Sequence, residues 1–398
     1  MTADGAPAHR AIVAPDAARR LASLPPYPLA GIPEAKARLL AAGRDVLDLG
    51  AGDPGLPVPA SAVAALREAV GRPELQGYGF QRGLPAYRRA IAAFLERRYG
   101  RALDPDREIL PLIGSKEGLA LVAFAALDPG DTVLAPDPGY APYFGGPHFA
   151  SARLERVRLV ADTGFTVPPA SITGAPGTLR LVYLNYPNNP TGATVEPAYV
   201  AECLDACAGR GALLAYDNAY AEIGFGGYRP PGLLEVEGGV EGGLEFHSFS
   251  KSFNMTGWRL GWACGSAEWI ARLAKVKSFI DTGPYLALQH AGAAVLDDAE
   301  PYLEENVARL ETRRDAAVAA FREAGFELEP PRGALYLWLR IPTAEPARDV
   351  ALRVLEEQAV VLLPGSALGE GGEGYVRAAL TLPAERYAEA ATRIARAL

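Results

Sequence analysis

Residues 247–259 read HSFSKSFNMTGWR and place a lysine and an arginine eight positions apart in an acidic chain. Lys251 stands among small hydroxyl and aromatic side chains, a setting that can make a lysine amine nucleophilic. Arg259 follows the turn at Gly257. A single lysine is usually an exposed surface residue, but two cations this close favour an anionic ligand. The stretch therefore predicts a binding site that contains a reactive amine.

The glycines and prolines of the chain point to the same kind of site. The chain of 398 residues has 43 glycines and 34 prolines, and clusters of them lie at residues 49–54, 113–118, 185–192 and 255–259. Each cluster falls near the end of a strand-like run or the start of a helical pattern. In open α/β sheets, ligands bind outside the carboxyl ends of the strands. The clusters therefore predict one site assembled from several loops.

The segment Gly114-Ser115-Lys116 lies between a strand-like run at 108–113 and a helical pattern at 117–127. A glycine lets the backbone approach a ligand closely, and the free N–H groups of a helix N-terminus attract anions. The segment predicts a cradle for a phosphate group. The alternative is an ordinary helix cap formed by Ser115.

Asp217 follows the apolar run at 211–216. A carboxylate at the end of a buried strand is costly unless it meets a positive partner. Asp217 could therefore hold a cationic nitrogen of a ligand. The alternative is that it caps the next turn.

The middle of the chain indicates an α/β fold. Strand-like runs at 131–135, 179–184, 211–216 and 260–264 are almost continuously apolar, as in strands covered on both faces. Helical patterns such as 197–208 separate them, which favours a mainly parallel sheet.

The last third of the chain has a different pattern. A long amphipathic helix is predicted over 300–324, followed by strand-like runs at 326–329, 334–339 and 375–380. We expect an N-terminal arm and part of a small domain at 1–48, a large domain at 49–285, and the rest of the small α+β domain at 286–398.

Composition excludes several classes of function. Lys and Arg number 39 and Asp and Glu 47, and a net charge of −8 argues against nucleic-acid binding. No apolar run reaches the ~18 residues of a membrane span, and the N-terminus lacks the apolar stretch of a secretion signal. Three cysteines indicate a reducing cytoplasm. Four scattered histidines, with no ligands at metal spacing, predict no metal site.

Taken in order, NNPTG (188–192), YDNAY (216–220) and SFSK (248–251) with Gly257-Trp258-Arg259 resemble the class I/II aminotransferases. These are pyridoxal-phosphate enzymes of the aspartate aminotransferase fold. The resemblance implies a mixed, mainly parallel seven-stranded sheet flanked by helices, plus a small α+β domain from both termini. IGSKEG (113–118), NYPNNPTG (185–192) and FNMTGWR (253–259) are similar to the branch that contains LL-diaminopimelate aminotransferases.

The resemblance also implies a role for each site residue. Lys251 would form the Schiff base with pyridoxal 5′-phosphate and move the substrate proton. Asp217 would pair with the pyridine nitrogen, and Tyr140 would stack on the ring. The residues implied for the other cofactor and substrate contacts are Asn189 and Tyr220 at the ring 3-oxygen; Gly114, Ser115, Lys116, Ser248 and Arg259 at the phosphate; Tyr78 at the phosphate of the neighbouring subunit; and Arg377, helped by Gly52 and Asn189, at the substrate α-carboxylate.

The implied activity is transfer of an amino group between an L-amino acid and a 2-oxo acid by a homodimer with shared active sites. Diaminopimelate or its N-succinyl derivative is a candidate substrate, although Phe80-Gln81-Arg82 lacks the acid that some diaminopimelate enzymes carry there. An aspartate, aromatic or broad-range aminotransferase is an alternative. The same fold could instead serve a lyase or decarboxylase, and a non-enzymatic ligand-binding module is the remaining interpretation.

Overall fold

A computed structural model describes residues 16–24, 31–80 and 82–398 of the chain. Residues 1–15, which begin the predicted N-terminal arm, lie outside the described residues, as do residues 25–30 and Gln81. In the described part of the chain, the strands are β1 (Leu47–Asp48), β2 (Ile109–Leu112), β3 (Thr132–Asp137), β4 (Arg153–Arg158), β5 (Leu179–Leu184), β6 (Leu213–Asp217), β7 (Gly243–Ser248), β8 (Gly261–Gly265), β9 (Tyr336–Arg340), β10 (Val360–Val361), β11 (Leu363–Pro364) and β12 (Tyr375–Ala379).

The helices account for most of the remaining regular structure. Over the same described ranges they are α1 (Arg19–Ala22), α2 (Ile32–Ala41), α3 (Ala60–Ala69), α4 (Pro85–Tyr99), α5 (Ser115–Ala126), α6 (Pro142–Phe149), α7 (Pro169–Thr173), α8 (Pro197–Gly209), α9 (Gly239–Gly242), α10 (Phe249–Ser252), α11 (Ala267–Lys277), α12 (Leu286–Asp297), α13 (Glu300–Glu323), α14 (Ala347–Gln358) and α15 (Tyr387–Arg396). None of these helices is both long enough and apolar enough to cross a membrane.

The central sheet has seven strands in the order β2-β8-β7-β6-β5-β3-β4. Strand β8 is antiparallel to both of its neighbours, and the other pairs are parallel. This mixed, mainly parallel sheet between helices confirms the predicted fold class.

Apolar residues cover both faces of this sheet, which explains the continuous apolar runs in the sequence. In β5, Leu181 and Tyr183 pack into the core on one face, and Val182 and Leu184 pack into the core on the other. Side chains of a strand alternate between faces, so a strand with two buried faces has few positions for polar residues. Such a sheet brings the carboxyl ends of its parallel strands to one edge.

A second group of strands lies beside the large sheet. Strands β11, β12 and β9 form an antiparallel sheet, and β1 pairs in parallel with β10, joining Leu47 to Val360. Helix α2 packs on α14, where Leu39 and Leu355 share a core. Segments from both ends of the chain thus meet here. The predicted domain boundaries near residues 48 and 285 stay predictions.

One predicted strand is wrong. Residues 326–329 form no strand but a loop after α13. Phe326 is buried because its ring packs edge-on against Phe321, with the ring centroids 5.5 Å apart. The Leu328 carbonyl accepts hydrogen bonds from the Arg322 guanidinium instead of from a neighbouring strand. The alternation of apolar and acidic residues in this segment therefore reflects contacts with the preceding helix and not a place in a sheet.

Candidate active site

The turn at residues 50–52, which follows β1, brings two cationic side chains to one place. The Lys251 Nζ donates a hydrogen bond to the Gly52 carbonyl at 2.6 Å. The Arg377 Nη2 donates to the Gly50 carbonyl at 2.7 Å. Lys251 lies in α10, directly after β7, whereas Arg377 lies in β12 of the second sheet. The turn therefore holds an amine and a guanidinium from two distant parts of the chain side by side.

Helix α10 positions Lys251 at the end of a buried strand. Ser248 is the residue before the helix, and its hydroxyl accepts a hydrogen bond from the Ser250 N–H at 3.2 Å. This is the cap that serines commonly provide at a helix start. Here Ser248 and Lys251 are fixed relative to β7 by one short helical turn.

Asp217 is the last residue of β6, and its side chain is deeply buried, with 4% of the residue exposed. Its carboxylate accepts hydrogen bonds from the Tyr143 hydroxyl at 2.5 Å and the Ala219 N–H at 3.3 Å. Burial raises the pKa of Asp217 to about 6, against the lowering effect of these bonds. Among the described residues no lysine or arginine forms an ion pair with this carboxylate, so the site suits a cationic group of a ligand.

Tyr220, in the turn that follows β6, faces the second sheet. Its hydroxyl is 2.7 Å from the Tyr336 hydroxyl of β9. Burial raises the pKa of Tyr220 well above its ordinary value. A Cβ atom on Gly52 would lie 2.7 Å from the Tyr336 hydroxyl, so only glycine leaves this pair of phenols in place. The predicted residues Tyr220 and Gly52 are thus neighbours.

Arg377 lies over a tyrosine ring and is almost fully buried, with 6% exposed. Its guanidinium carbon is 4.2 Å from the centre of the Tyr336 ring, and its Nη1 donates to the Asn189 Oδ1 at 2.9 Å. The Asn185 side chain accepts from the Asn189 N–H at 2.7 Å. Within the part of the chain that the structure describes, the buried Nε of Arg377 has no partner. A donor left without a partner at such depth indicates a place for a carboxylate.

The residues of the predicted phosphate cradle lie around the start of α5. Gly114 precedes the helix with a φ of +77°, and a Cβ atom there would lie 2.5 Å from the Arg259 Nη2. The absence of a side chain at Gly114 therefore lets the guanidinium lie against the turn. Arg259 is held by bonds from its Nη1 to the Thr256 carbonyl at 2.8 Å and the Ser250 hydroxyl at 3.4 Å. A cation beside the N-terminus of a helix is suited to an anion.

One further predicted residue, Tyr140, lies beside this cradle. Tyr140 follows β3, and the Lys116 Nζ lies 5.8 Å from the centre of its ring. The Tyr140 ring also packs edge-on against Tyr143, with centroids 5.9 Å apart. Tyr140 therefore lies beside the tyrosine that contacts Asp217, between the cradle and the carboxylate.

Tyr78 is set apart from the buried residues by its exposure, which is 73%. Its ring packs against Phe80, with the centroids 5.8 Å apart, and Phe80 is 64% exposed. Both belong to a loop before α4. The structure therefore brings together the other predicted site residues but leaves Tyr78 on the surface of this chain.

Sequence reasoning missed three residues of this arrangement. Tyr143 lies in α6, three positions after Tyr140, and that short spacing was its only sequence signal. Asn185 begins the quoted NYPNNPTG motif but was given no role. Tyr336 carried no motif, because its place between Tyr220 and Arg377 arises from packing between two sheets.

Comparisons with known proteins agree with this geometry. The family described as "Aminotransferase class I and II" matches residues 44–394. An LL-diaminopimelate aminotransferase from Desulforudis audaxviator is 42% identical over 378 residues, which cover 95% of this chain and 96% of that protein. Substrate-bound BacF from Bacillus subtilis superposes with a TM-score of 0.90 at 32% identity, over 96% of this chain and 98% of that one. A probable N-succinyldiaminopimelate aminotransferase from Thermus thermophilus gives a TM-score of 0.86 at 36% identity, over 92% of this chain and 99% of that one.

Proposed function

Because this chain belongs to the class I and II aminotransferase family, and is therefore a pyridoxal-phosphate-dependent aminotransferase, we propose that its amino donor is a diaminopimelate-type amino acid. One observation carries the assignment of the site. The turn at 50–52 accepts hydrogen bonds from both Lys251 and Arg377. An amine that can move a proton thus lies beside a guanidinium that can bind a carboxylate. A site for an α-amino acid needs both groups.

The donor set fits the cofactor at its phosphate end. We infer that the N–H groups at Gly114, Ser115 and Lys116, the Ser248 hydroxyl and the Arg259 guanidinium hold the phosphate. The contact between Gly114 and Arg259, which a Cβ atom would block, supports this assignment. A helix N-terminus and a guanidinium together supply hydrogen bonds and charge to a dianion.

The buried carboxylate fits the cofactor at its ring. We infer that Asp217 pairs with the protonated ring nitrogen, that Asn189 and Tyr220 hydrogen-bond the ring oxygen, and that Tyr140 packs on the ring face. The pKa of Asp217, raised to about 6 by burial, supports a position that gains from a cationic partner. When bound, the cofactor supplies an electron sink for the carbanion formed at the substrate Cα.

Lys251 would hold the cofactor covalently and then act as a base. The incoming amino acid would release the Lys251 Nζ. This amine would then take the proton from the substrate Cα and deliver it to the cofactor carbon on the other side of the transferred nitrogen. Arg377 would orient the α-carboxylate bidentately with help from Asn189 and the backbone of Gly52. The buried walls around Tyr220 and Tyr336 would exclude water during this transfer.

We infer that the enzyme works as a homodimer in the cytoplasm. Exposed large apolar side chains at Tyr78 and Phe80, and at Phe279 and Ile280, support a surface that a second copy covers. Tyr78 of that copy would reach the phosphate. Cys203, Cys207 and Cys264 are free and buried, which suits a reducing compartment.

The choice of donor rests on the relatives. The Desulforudis protein is named an LL-diaminopimelate aminotransferase, and the Thermus protein a probable N-succinyldiaminopimelate aminotransferase. The segment Phe80-Gln81-Arg82 carries no acid to meet a distal ammonium. This feature favours the N-succinyl derivative, whose distal nitrogen is uncharged, as the second candidate.

The test compares donors at a fixed concentration of 2-oxoglutarate. LL-diaminopimelate, its N-succinyl derivative, aspartate, glutamate and phenylalanine are each supplied, and kcat/KM is measured. We expect one of the two diaminopimelate compounds to exceed the others by roughly tenfold or more, the discrimination that about 1.4 kcal/mol of selective contact provides. Equal values for all five donors would contradict the proposed specificity, and pyruvate with ammonia as products would contradict transfer itself.

A further inference from the structure

A buried ionic cluster lies behind the phosphate cradle, outside the residues discussed so far. Lys277, at the end of α11, is fully buried, and its Nζ donates hydrogen bonds to the carboxylates of Glu117 and Asp281. Glu117 lies in the first turn of α5. Burial, together with the neighbouring Asp281 carboxylate, raises the pKa of Glu117 against the effect of Lys277.

The second oxygen of Glu117 binds the cradle itself. Its Oε2 accepts a hydrogen bond from the Ile113 N–H at 2.7 Å, directly before Gly114. A glutamate in the first turn that reaches back to the preceding backbone is a known way to fix the entry of a chain into a helix. Here it fixes the peptide that leads into the cradle, while Lys277 fixes the glutamate.

Close packing holds the body of α5 independently of this bond. A Cβ atom on Gly118 would lie 2.6 Å from Leu112 and 2.8 Å from Phe246, so the helix lies directly against β2 and β7. Loss of the Glu117 side chain would therefore leave the helix in place. The same loss would remove the hydrogen bond that fixes the turn from Ile113 to Ser115.

We propose that Glu117, anchored by Lys277, is a positioning residue that holds the Ile113–Ser115 turn in the conformation that binds the cofactor phosphate. The inference rests on the proposed function, because it assumes that this turn receives the phosphate. It extends that function by adding a residue that touches neither cofactor nor substrate. Fixed donors bind an anion more tightly than donors that must first be ordered.

The experiment measures phosphate recognition separately from ring recognition. Dissociation constants of pyridoxal 5′-phosphate and of pyridoxal are determined with the full-length apoenzyme by absorbance titration, and inorganic phosphate by calorimetry. The wild type must prefer the phosphorylated compound; equal affinity for both would overturn the proposed phosphate site itself. That outcome is distinguishable from failure of the present inference, which concerns the variants only.

Glu117→Ala removes the acceptor of the Ile113 N–H, and Glu117→Gln keeps one. We expect Glu117→Ala to lower the preference for the phosphorylated compound roughly tenfold, because the Ile113 N–H loses its acceptor, and to bind inorganic phosphate more weakly. Glu117→Gln should recover most of the preference. Lys275→Met, an exposed change two residues before Lys277 on the same helix, is the matched control and should change nothing.

An unchanged preference in Glu117→Ala would overturn the proposal. Equal losses for pyridoxal and its phosphate in both Glu117 variants would also overturn it, because they indicate a general structural defect. If Glu117→Ala does not fold, the hydrogen-exchange rate of the Ile113 amide in the wild-type apoenzyme tests the proposal instead. Slow exchange before phosphate is added supports a turn that Glu117 holds in advance, and rapid exchange contradicts it.

Discussion

The centre of the site and its exposed rim differ in how they are built. At the centre, Asp217, Tyr220 and Arg377 are buried and bonded to partners from a helix, a strand and a loop. At the rim, Tyr78 and Phe80 are exposed on a loop, and their rings pack against each other. The residues of the centre thus come from one chain, whereas we propose that a second copy covers the rim. Substitutions at the centre should therefore have larger effects than those at the rim.

The largest effect is expected from Lys251→Ala. Without the amine, proton transfer loses its base, and turnover should fall by ~10⁴-fold or more. Steady-state assays with the best donor measure this loss, and absorbance after dialysis shows whether cofactor is still retained. Lys275→Ala, on the exposed side of α11, is the control. Turnover near the wild-type value in Lys251→Ala would remove this residue from the mechanism.

Arg377→Lys should have the next largest effect. A lysine cannot form the paired hydrogen bonds of the guanidinium, and breaking a buried charged pair typically costs about 2–5 kcal/mol. We expect kcat/KM for the amino donor to fall by ~10²–10³-fold, mainly through a higher KM. Arg340→Lys, an exposed change on the strand that pairs with β12, is the control. A change confined to cofactor affinity would contradict a role in binding the α-carboxylate.

The buried carboxylate of Asp217 should make the apoenzyme sensitive to pH. Its pKa is raised from 3.8 to about 6 in the folded chain, so the folded state binds the proton more tightly than the unfolded state. Its contribution to stability is present below pH 3.8 and is lost as the pH rises through about 6. A difference of this size corresponds to about 3 kcal/mol.

Apoenzyme stability measured by denaturant unfolding checks this prediction. Between pH 4 and pH 7, the unfolding free energy of the wild type should fall relative to that of Asp217→Asn by an amount of that order. Taking the difference between the two proteins cancels the titration of the other carboxylates. A difference independent of pH would show that the burial of Asp217 does not perturb its ionisation.

Tyr78→Phe should have the smallest effect of the series. Loss of one hydroxyl contact to the phosphate should weaken cofactor binding by ~5–10-fold, with turnover unchanged once cofactor is saturating. Tyr285→Phe, which removes a hydroxyl bonded to Gln76 of the same chain, is the control. Mixing Lys251→Ala with Tyr78→Phe chains sharpens the test, since a hybrid dimer combines an intact Lys251 with an intact Tyr78 from the other copy. Failure of the mixture to regain any high-affinity cofactor site would contradict a shared site.

The sequence predicted the residues at the centre of the site better than the residues that position them. Lys251 was identified by its setting and its spacing from Arg259, Asp217 by its place after an apolar run, and Arg377 by the family resemblance. The family, fold class and cofactor are confirmed. The residue roles and the domain boundaries stay predictions. Tyr143 and Tyr336 carry no such signal, because each acts through contacts between segments distant in sequence. Glu117 bonds the nearby Ile113 N–H, but its anchor Lys277 lies 160 residues away along the chain. The wrong strand at 326–329 has a different origin, because Phe326 is buried by a local contact with the helix that directly precedes it.

The most direct test of the account is a single half-reaction. The purified holoenzyme is mixed with LL-diaminopimelate, or with its N-succinyl derivative, without any 2-oxo acid acceptor. We expect the cofactor absorbance to change to that of its amino form, with one 2-oxo acid released per site and no ammonia. Release of ammonia, or an unchanged spectrum with both compounds and with the other donors, would contradict amino transfer at the Lys251 and Arg377 site.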